Sequence, residues 1–126
     1  MSRFLLVCLG GALGTGARYL VVLGAPLVFG RGFPYGTLIV NVVGSFLIGA
    51  VMHVSLTSSL ASPTLQTFLT TGVMGGFTTY SAFNEETLQY LRDGALGLGA
   101  LNAGVTLALC LLAGVLGAAA ARAFAG

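Results

Sequence analysis

Four stretches of this sequence stay apolar for about 20 residues or more, the length a helix needs to cross the hydrocarbon of a bilayer. They run from about Phe4 to Leu23, Thr37 to Leu56, Leu65 to Leu91 and Ala95 to Ala123. Within each, apolar residues follow one another without the period-two alternation of a membrane barrel strand, so the spans read as helices. Turn-forming residues fall between them, and Pro26, Pro34 and Pro63 are all assigned to the connections. Charge points to the same solvent. Of the 126 residues, 6% are charged, against about 25% in a soluble domain, and so poor a surface does not keep a globule in water. The expectation is one all-α membrane domain over residues 1–126, with four transmembrane helices and no soluble domain.

The charges are Arg3, Arg18, Arg31, Arg92 and Arg122 against Glu85, Glu86 and Asp93, a net +2 without any lysine. These arginines are scattered and form no basic run, which argues against a nucleic-acid partner. Cys8 and Cys110 lie inside apolar spans as small hydrophobes and build neither a disulfide framework nor a metal site. The first apolar run continues through Arg18 into residues 19–23, longer than the core of a signal peptide, so it is read as a span. With four spans, both termini and the middle connection share one side, which carries Arg3 and Arg122, while the other carries Arg31 and Arg92. Orientation follows the Lys/Arg imbalance between the two sides, and a tie gives the inserting chain no instruction. Insertion both ways is expected, and oppositely oriented copies can close into an antiparallel two-fold dimer.

Polar residues inside hydrocarbon must face protein or water, so their spacing carries the functional signal. Thr37, Asn41 and Ser45 repeat at i, i+4 on the second span, and Asn102, Thr106 and Cys110 do so on the fourth. Such stripes either bond helices together or wall a polar path. Gly10-x-x-x-Gly14 and Gly72-x-x-x-Gly76 let backbones approach closely and read as packing. In the third span Gly75-Gly76-Phe77-Thr78-Thr79 makes a poor helix interior. A break is expected from about Gly75 to Thr79. It is either a plain glycine kink or an unwound stretch whose freed carbonyls coordinate a cation, as in transporter helices.

Beyond that break Tyr80 and Phe83 share a helical face with Thr87. They serve either as ordinary packing or as ring edges whose partial positive charge favours a dehydrated anion. Glu86 lies near the same face, and His53 reads as interfacial. Arg18 is the one cation well inside a span, placed to serve function or to snorkel to the interface. The sequence contains no nucleophile elbow, phosphate loop or histidine beside an acid. Adjacent Glu85 and Glu86 point about 100 degrees apart on a helix and do not converge. An enzyme is not expected.

Three segments carry a family resemblance: Gly10-Gly11-Ala12-Leu13-Gly14-Thr15-Gly16-Ala17-Arg18-Tyr19, Gly36-Thr37-Leu38-Ile39-Val40-Asn41-Val42-Val43-Gly44-Ser45-Phe46 and Gly75-Gly76-Phe77-Thr78-Thr79-Tyr80-Ser81-Ala82-Phe83. In this order and at these separations the chain resembles the Fluc-type (CrcB) fluoride channels. The resemblance covers the first three spans, and the length and four-span layout fit throughout. It implies a multi-pass protein of the cell (inner) membrane, a dual-topology antiparallel homodimer with two pores that export fluoride which entered as the neutral acid. It implies that Asn41 is the pore amide, that Tyr80 and Phe83 offer ring edges and that Thr106 also touches the ion. A structural sodium ion at the dimer centre would be held by the main-chain carbonyls of Gly75 and Thr78. The family's hydroxyl track falls on Asn102, Thr106 and Cys110, of which Thr106 alone keeps a hydroxyl. Arg18 and Glu86 match the family's first-helix arginine and third-helix acid, with structural or vestibule roles, as for Thr37 and Ser45. Tyr80 stands where the family usually has phenylalanine, and its phenol adds a donor. Two other classes fit the composition: a small proton-coupled dual-topology exporter, although the first span has no carboxylate, and a helical assembly module without transport.

Overall fold

The computed structural model describes residues 2–125. Its elements are α1 (Ser2–Phe29), α2 (Tyr35–Thr57), α3 (Pro63–Thr67), a π-helical segment (Phe68–Met74), the single turn α4 (Gly75–Phe77), α5 (Tyr80–Arg92) and α6 (Leu96–Ala125). No strand occurs among the described residues. Together α3 through α5 form one broken span, which gives the four expected crossings. Of the described helices, α1, α2 and α6 are each long and apolar enough to cross a bilayer.

The helix ends follow local chemistry. Gly30, at φ +87, donates its N–H to the Pro26 carbonyl (3.0 Å) as α1 stops. Gly94, at φ +78, ends α5 in a Schellman turn, with its own N–H on the Leu91 carbonyl (3.2 Å) and that of Ala95 on the Tyr90 carbonyl (2.8 Å). The broken span starts on Ser62, whose Oγ accepts the Leu65 N–H at 3.1 Å, with Pro63 in the first turn. One expectation is corrected. Pro26 lies inside α1 and not in a connection. Proline removes one N–H and crowds the carbonyl four residues back, but backbone that unwinds at membrane depth finds no water to replace its partners. Pro34 and Pro63 stand at helix starts, as the start of α2 and of α3 allows.

Successive spans alternate in direction. Arg3 Nη2 donates to Thr64 Oγ1 at 3.2 Å, so the amino-terminal end lies beside the middle connection. At the opposite end the Tyr90 hydroxyl donates to the Gly32 carbonyl at 3.4 Å, joining the first connection to the end of α5. Hence α1 runs parallel to the broken span, and α2 runs parallel to α6. The tightest backbone-to-backbone contacts join these parallel partners. Gly14 lies against the Val73 carbonyl and Gly76 against the Gly11 carbonyl, and a Cβ at either position would overlap that backbone. Gly49 meets the Gly114 backbone, and Gly117 meets the Phe46 carbonyl, equally without room for a Cβ. The glycine pairs of the first and third spans therefore pack on each other, the close approach that small residues permit in membranes.

Buried side chains are few and most of them are polar: Ala25, Val40 and Ala113 beside Thr37, Asn41, Asn102 and Thr106. Leucines such as Leu20 and Leu107 point outward. Such an arrangement suits a lipid solvent, in which large apolar side chains gain nothing by turning inward while polar ones do.

The break itself is shorter than the sequence suggested and falls at its far end. Gly75 and Gly76 remain helical, and the backbone becomes extended at Thr78 (φ −85, ψ 160) and Thr79 (φ −151, ψ 117). Gly76 serves as a contact residue for α1, whereas the Thr79 amide leaves the ladder for a side chain of α2. Upstream, the Thr67 and Thr70 hydroxyls bond the carbonyls of Pro63 and Gln66 at 2.9 and 2.8 Å. Such back-bonding competes with the backbone ladder where it widens into the π-helical segment.

Candidate functional site

Asn41 stands at the break. Its Nδ2 donates to the Thr79 carbonyl at 3.0 Å, and its Oδ1 accepts the Thr79 N–H at 2.8 Å. Thr79 in turn caps α5, its Oγ1 accepting the Ala82 N–H at 3.2 Å. In an unbroken α-helix those two amides would bond the carbonyls four residues back, Gly75 for Thr79 and Thr78 for Ala82. Both carbonyls thus lose their ordinary donors to side chains. An asparagine amide has two N–H groups, so Asn41 keeps one beyond its bond to Thr79.

A cavity of about 630 Å³ opens beside this clamp. Asn41 and Ser45 line it from α2, Tyr80 and Phe83 from α5, and Thr106 and Cys110 from α6. Gly75 and Thr78 lie at its border on the broken span. The Tyr80 and Phe83 rings meet edge to face, with centroids 5.8 Å apart and planes at 70°, the arrangement that suits their quadrupoles. Tyr80 is 78% exposed, so on this side the single chain supplies no wall. Thr106 is buried, and its Oγ1 has no hydrogen-bond partner among the described residues. A buried hydroxyl without a partner is costly and is available to anything polar that enters the cavity.

The other residues singled out from the sequence lie around this cavity in separate places. Thr37 Oγ1 donates to Glu86 Oε2 at 2.7 Å, one turn beyond Phe83. The other carboxylate oxygen, Oε1, is buried and unpartnered among the described residues. Glu86 also borders a second cavity of about 350 Å³, shared with Arg31, Gln89 and Tyr90 near the first connection. Arg18 does not line either cavity. Its Nε donates to the Gly76 carbonyl at 2.9 Å, which ties α1 to the last helical turn before the break. A cation suits that position because helical carbonyls converge there. Asn102 likewise lines neither cavity. It is 1% exposed, and its Nδ2 donates to Thr87 Oγ1 at 3.0 Å between α5 and α6. His53 Nε2 is buried without a partner among the described residues.

Two contributors escaped the sequence reading. Thr79 is the cap and the counterpart of Asn41, and a threonine just ahead of a helical run was the available signal. Thr15, whose hydroxyl reaches the Gly76 carbonyl at 3.5 Å beside Arg18, gave no signal beyond its polarity.

The family described as "CrcB-like protein, Camphor Resistance (CrcB)" matches residues 5–118 of the chain. A protein of Sorangium cellulosum (strain So ce56) named fluoride-specific ion channel FluC is 52% identical over 122 residues, which is 97% of this chain and 96% of that one. A protein of the same name from Anaeromyxobacter sp. (strain K) is 55% identical over 113 residues, 90% of each chain. Another, from Geobacter sulfurreducens, is 45% identical over 122 residues, 97% of this chain and 98% of that one.

Proposed function

The chain belongs to the CrcB-like family, and on that footing we propose that it is a fluoride channel, a non-enzymatic, multi-pass membrane protein that lets fluoride leave the cell down its electrochemical gradient. The convergence of donors on one cavity carries this reading. Asn41 with its spare N–H, Tyr80 and Phe83 with ring edges of positive partial charge, and Thr106 with its unpartnered hydroxyl all line that cavity. Fluoride is small and strongly hydrated, so a path across the membrane must replace its water with positive partial charge. Amide and hydroxyl protons do so directly, and aromatic edges do so without adding a full charge that would trap the ion. The second cavity, beside Glu86 and Arg31, forms the watery mouth one turn of α5 away.

The wall missing beside Tyr80 is supplied by a second copy, inserted the opposite way up. The equal arginine tally supports that orientation, and two copies provide two equivalent pores. A sodium ion joining the pair would be held by the main-chain carbonyls of Gly75 and Thr78. The diversion of their helical donors to Asn41 and Thr79 supports the fit of a cation there. Main-chain oxygen is suitable chemistry for that hard ion. Its contribution would be structural, joining the two copies. The cell (inner) membrane is the location that fits an exporter of fluoride.

The test uses purified protein in liposomes loaded with potassium fluoride or potassium chloride, with valinomycin to carry compensating charge and ion-selective electrodes outside. Rapid fluoride release with chloride retained supports the channel. Release that requires an imposed pH gradient points to a proton-coupled exporter, and liposomes that stay tight around well-formed dimers point to an assembly module.

A further inference from the structure

We propose that Asn102 sets the rotation of α5 about its own axis, and so aims the Tyr80 and Phe83 rings, acting through Thr87 as a positioning residue; this rests on the channel reading above. A continuous helix carries its rotational phase from one half to the other. At Thr78–Thr79 the backbone is extended, so α4 does not dictate the phase of α5. Nor does α1, since α5 packs on α6 and, more lightly, on α2.

Three polar clamps hold α5 to neighbouring helices, beside the longer bond from Tyr90 to the Gly32 carbonyl of the first connection (3.4 Å) at its far end. Asn41 holds Thr79 at the start of α5, which is the pivot about which the helix would turn. Two turns on, adjacent residues are held from different sides: Glu86 by Thr37 of α2 and Thr87 by Asn102 of α6. Of these, the Glu86 clamp is the softer, because a long side chain bends and its second oxygen has no partner among the described residues. The Thr87 clamp uses two short side chains, with Asn102 completely enclosed. Thr87 Oγ1 accepts from Asn102 Nδ2 at 3.0 Å and donates its own O–H to the Phe83 carbonyl at 2.9 Å. Each bond in such an N–H to O–H to O=C series polarises the next. The series ends on the backbone of the residue whose ring borders the cavity. Asn102 therefore influences the cavity without lining it.

The full-length protein is prepared as Asn102→Ala, Thr87→Val, the double variant and Thr87→Ser, and fluoride release from liposomes is compared. Each of the first two is expected to release fluoride about tenfold more slowly, the scale of one lost buried hydrogen bond. The double variant should be no slower than the slower single one, and Thr87→Ser, which keeps the hydroxyl, should match the parent. Multiplying losses in the double variant, or a Thr87→Ser as slow as Thr87→Val, overturns the proposal. A second readout places 4-fluorophenylalanine at position 83. Its fluorine resonance should shift alike in Asn102→Ala and Thr87→Val and stay put in Thr87→Ser. An unshifted resonance in folded Asn102→Ala or Thr87→Val protein overturns the proposal even where release is slowed. Should Asn102→Ala not assemble, the Thr87→Val and Thr87→Ser comparison decides alone. If the parent itself retains fluoride, the channel reading falls, while the fluorine shifts still judge the part played by Asn102.

Discussion

Asn41 and Thr79, 38 residues apart in sequence, exchange two hydrogen bonds, so that one side-chain amide takes the place of the backbone partners lost at the break. The same side chain borders the cavity, and Asn41→Asp keeps the acceptor half of the clamp while it takes the N–H donors away from both the Thr79 carbonyl and the cavity. An aspartate still accepts the Thr79 N–H, yet it has no N–H to offer an anion and sets a like charge beside it. Fluoride release from liposomes should fall by at least about tenfold while size-exclusion chromatography still gives the parent's elution profile. Full release with the aspartate shown to be ionised would remove Asn41 from the ion's path.

Thr106 offers a substitution in which stability and transport move apart. Its hydroxyl is buried without a partner among the described residues, so Thr106→Val removes an unsatisfied group and keeps the shape. Thermal unfolding in detergent should be unchanged or occur at higher temperature, by up to about 1–3 kcal/mol of added stability. Fluoride release should nonetheless drop several-fold. A variant that loses stability would mean that the hydroxyl has a partner in the assembled protein.

At Tyr80 the phenol stands open at the unwalled side of the cavity, its ring edge-on to Phe83. Removing the hydroxyl in Tyr80→Phe keeps the ring pair and deletes one donor. A several-fold slower release is expected if that donor serves the ion or a polar neighbour. Equal rates in single-channel records would make the hydroxyl incidental.

Contacts between α1 and the broken span predict a different failure. A Cβ on Gly14 would overlap the Val73 carbonyl, which cannot swing aside as a side chain does. Gly14→Val should therefore destabilise the chain by about 1–3 kcal/mol or more, visible as a lower midpoint in thermal unfolding. Gly16→Val, on the same helix with open space around it, is the matching control and should behave as the parent.

The proposed sodium ion gives a prediction that needs no mutation. Exchange into a sodium-free buffer with a large organic cation removes whatever sodium binds the folded assembly and thereby its stabilisation. Dimers should dissociate at lower temperature, and millimolar sodium should restore them. Indifference to sodium at every concentration would leave the Gly75 and Thr78 carbonyls without that role.

Much of this was legible because membrane solvent writes long signals. Four apolar runs fixed four crossings, and the spacing of Tyr80 and Phe83 put both rings on one face. The π-helical segment and the true position of the break were not legible, since both depend on where hydroxyls and the Asn41 amide send their bonds, and Asn41 belongs to another helix. Pro26 misled for a related reason: its usual meaning as a breaker is learned from water. The stripes were only partly readable. Steps of four residues drift by about 40° on a 3.6-residue helix, so Asn102 and Cys110 differ by about 80° around α6. That drift turns Asn102 toward Thr87 while Cys110 borders the cavity.

The pairing of parallel spans also bears on how the protein is made. Arg3 and Thr64 are 61 residues apart, and Gly49 of α2 awaits Gly114 of α6, so the closest backbone contacts join spans that are interleaved along the chain. When α1 and α2 leave the ribosome, each has an unclaimed glycine face that its immediate neighbour does not fill. Both must persist as separately inserted helices, held by their own backbone bonds, until later spans arrive. A chain cut short before α6 would then retain an open seam along α2, where the Gly49 backbone lacks its partner.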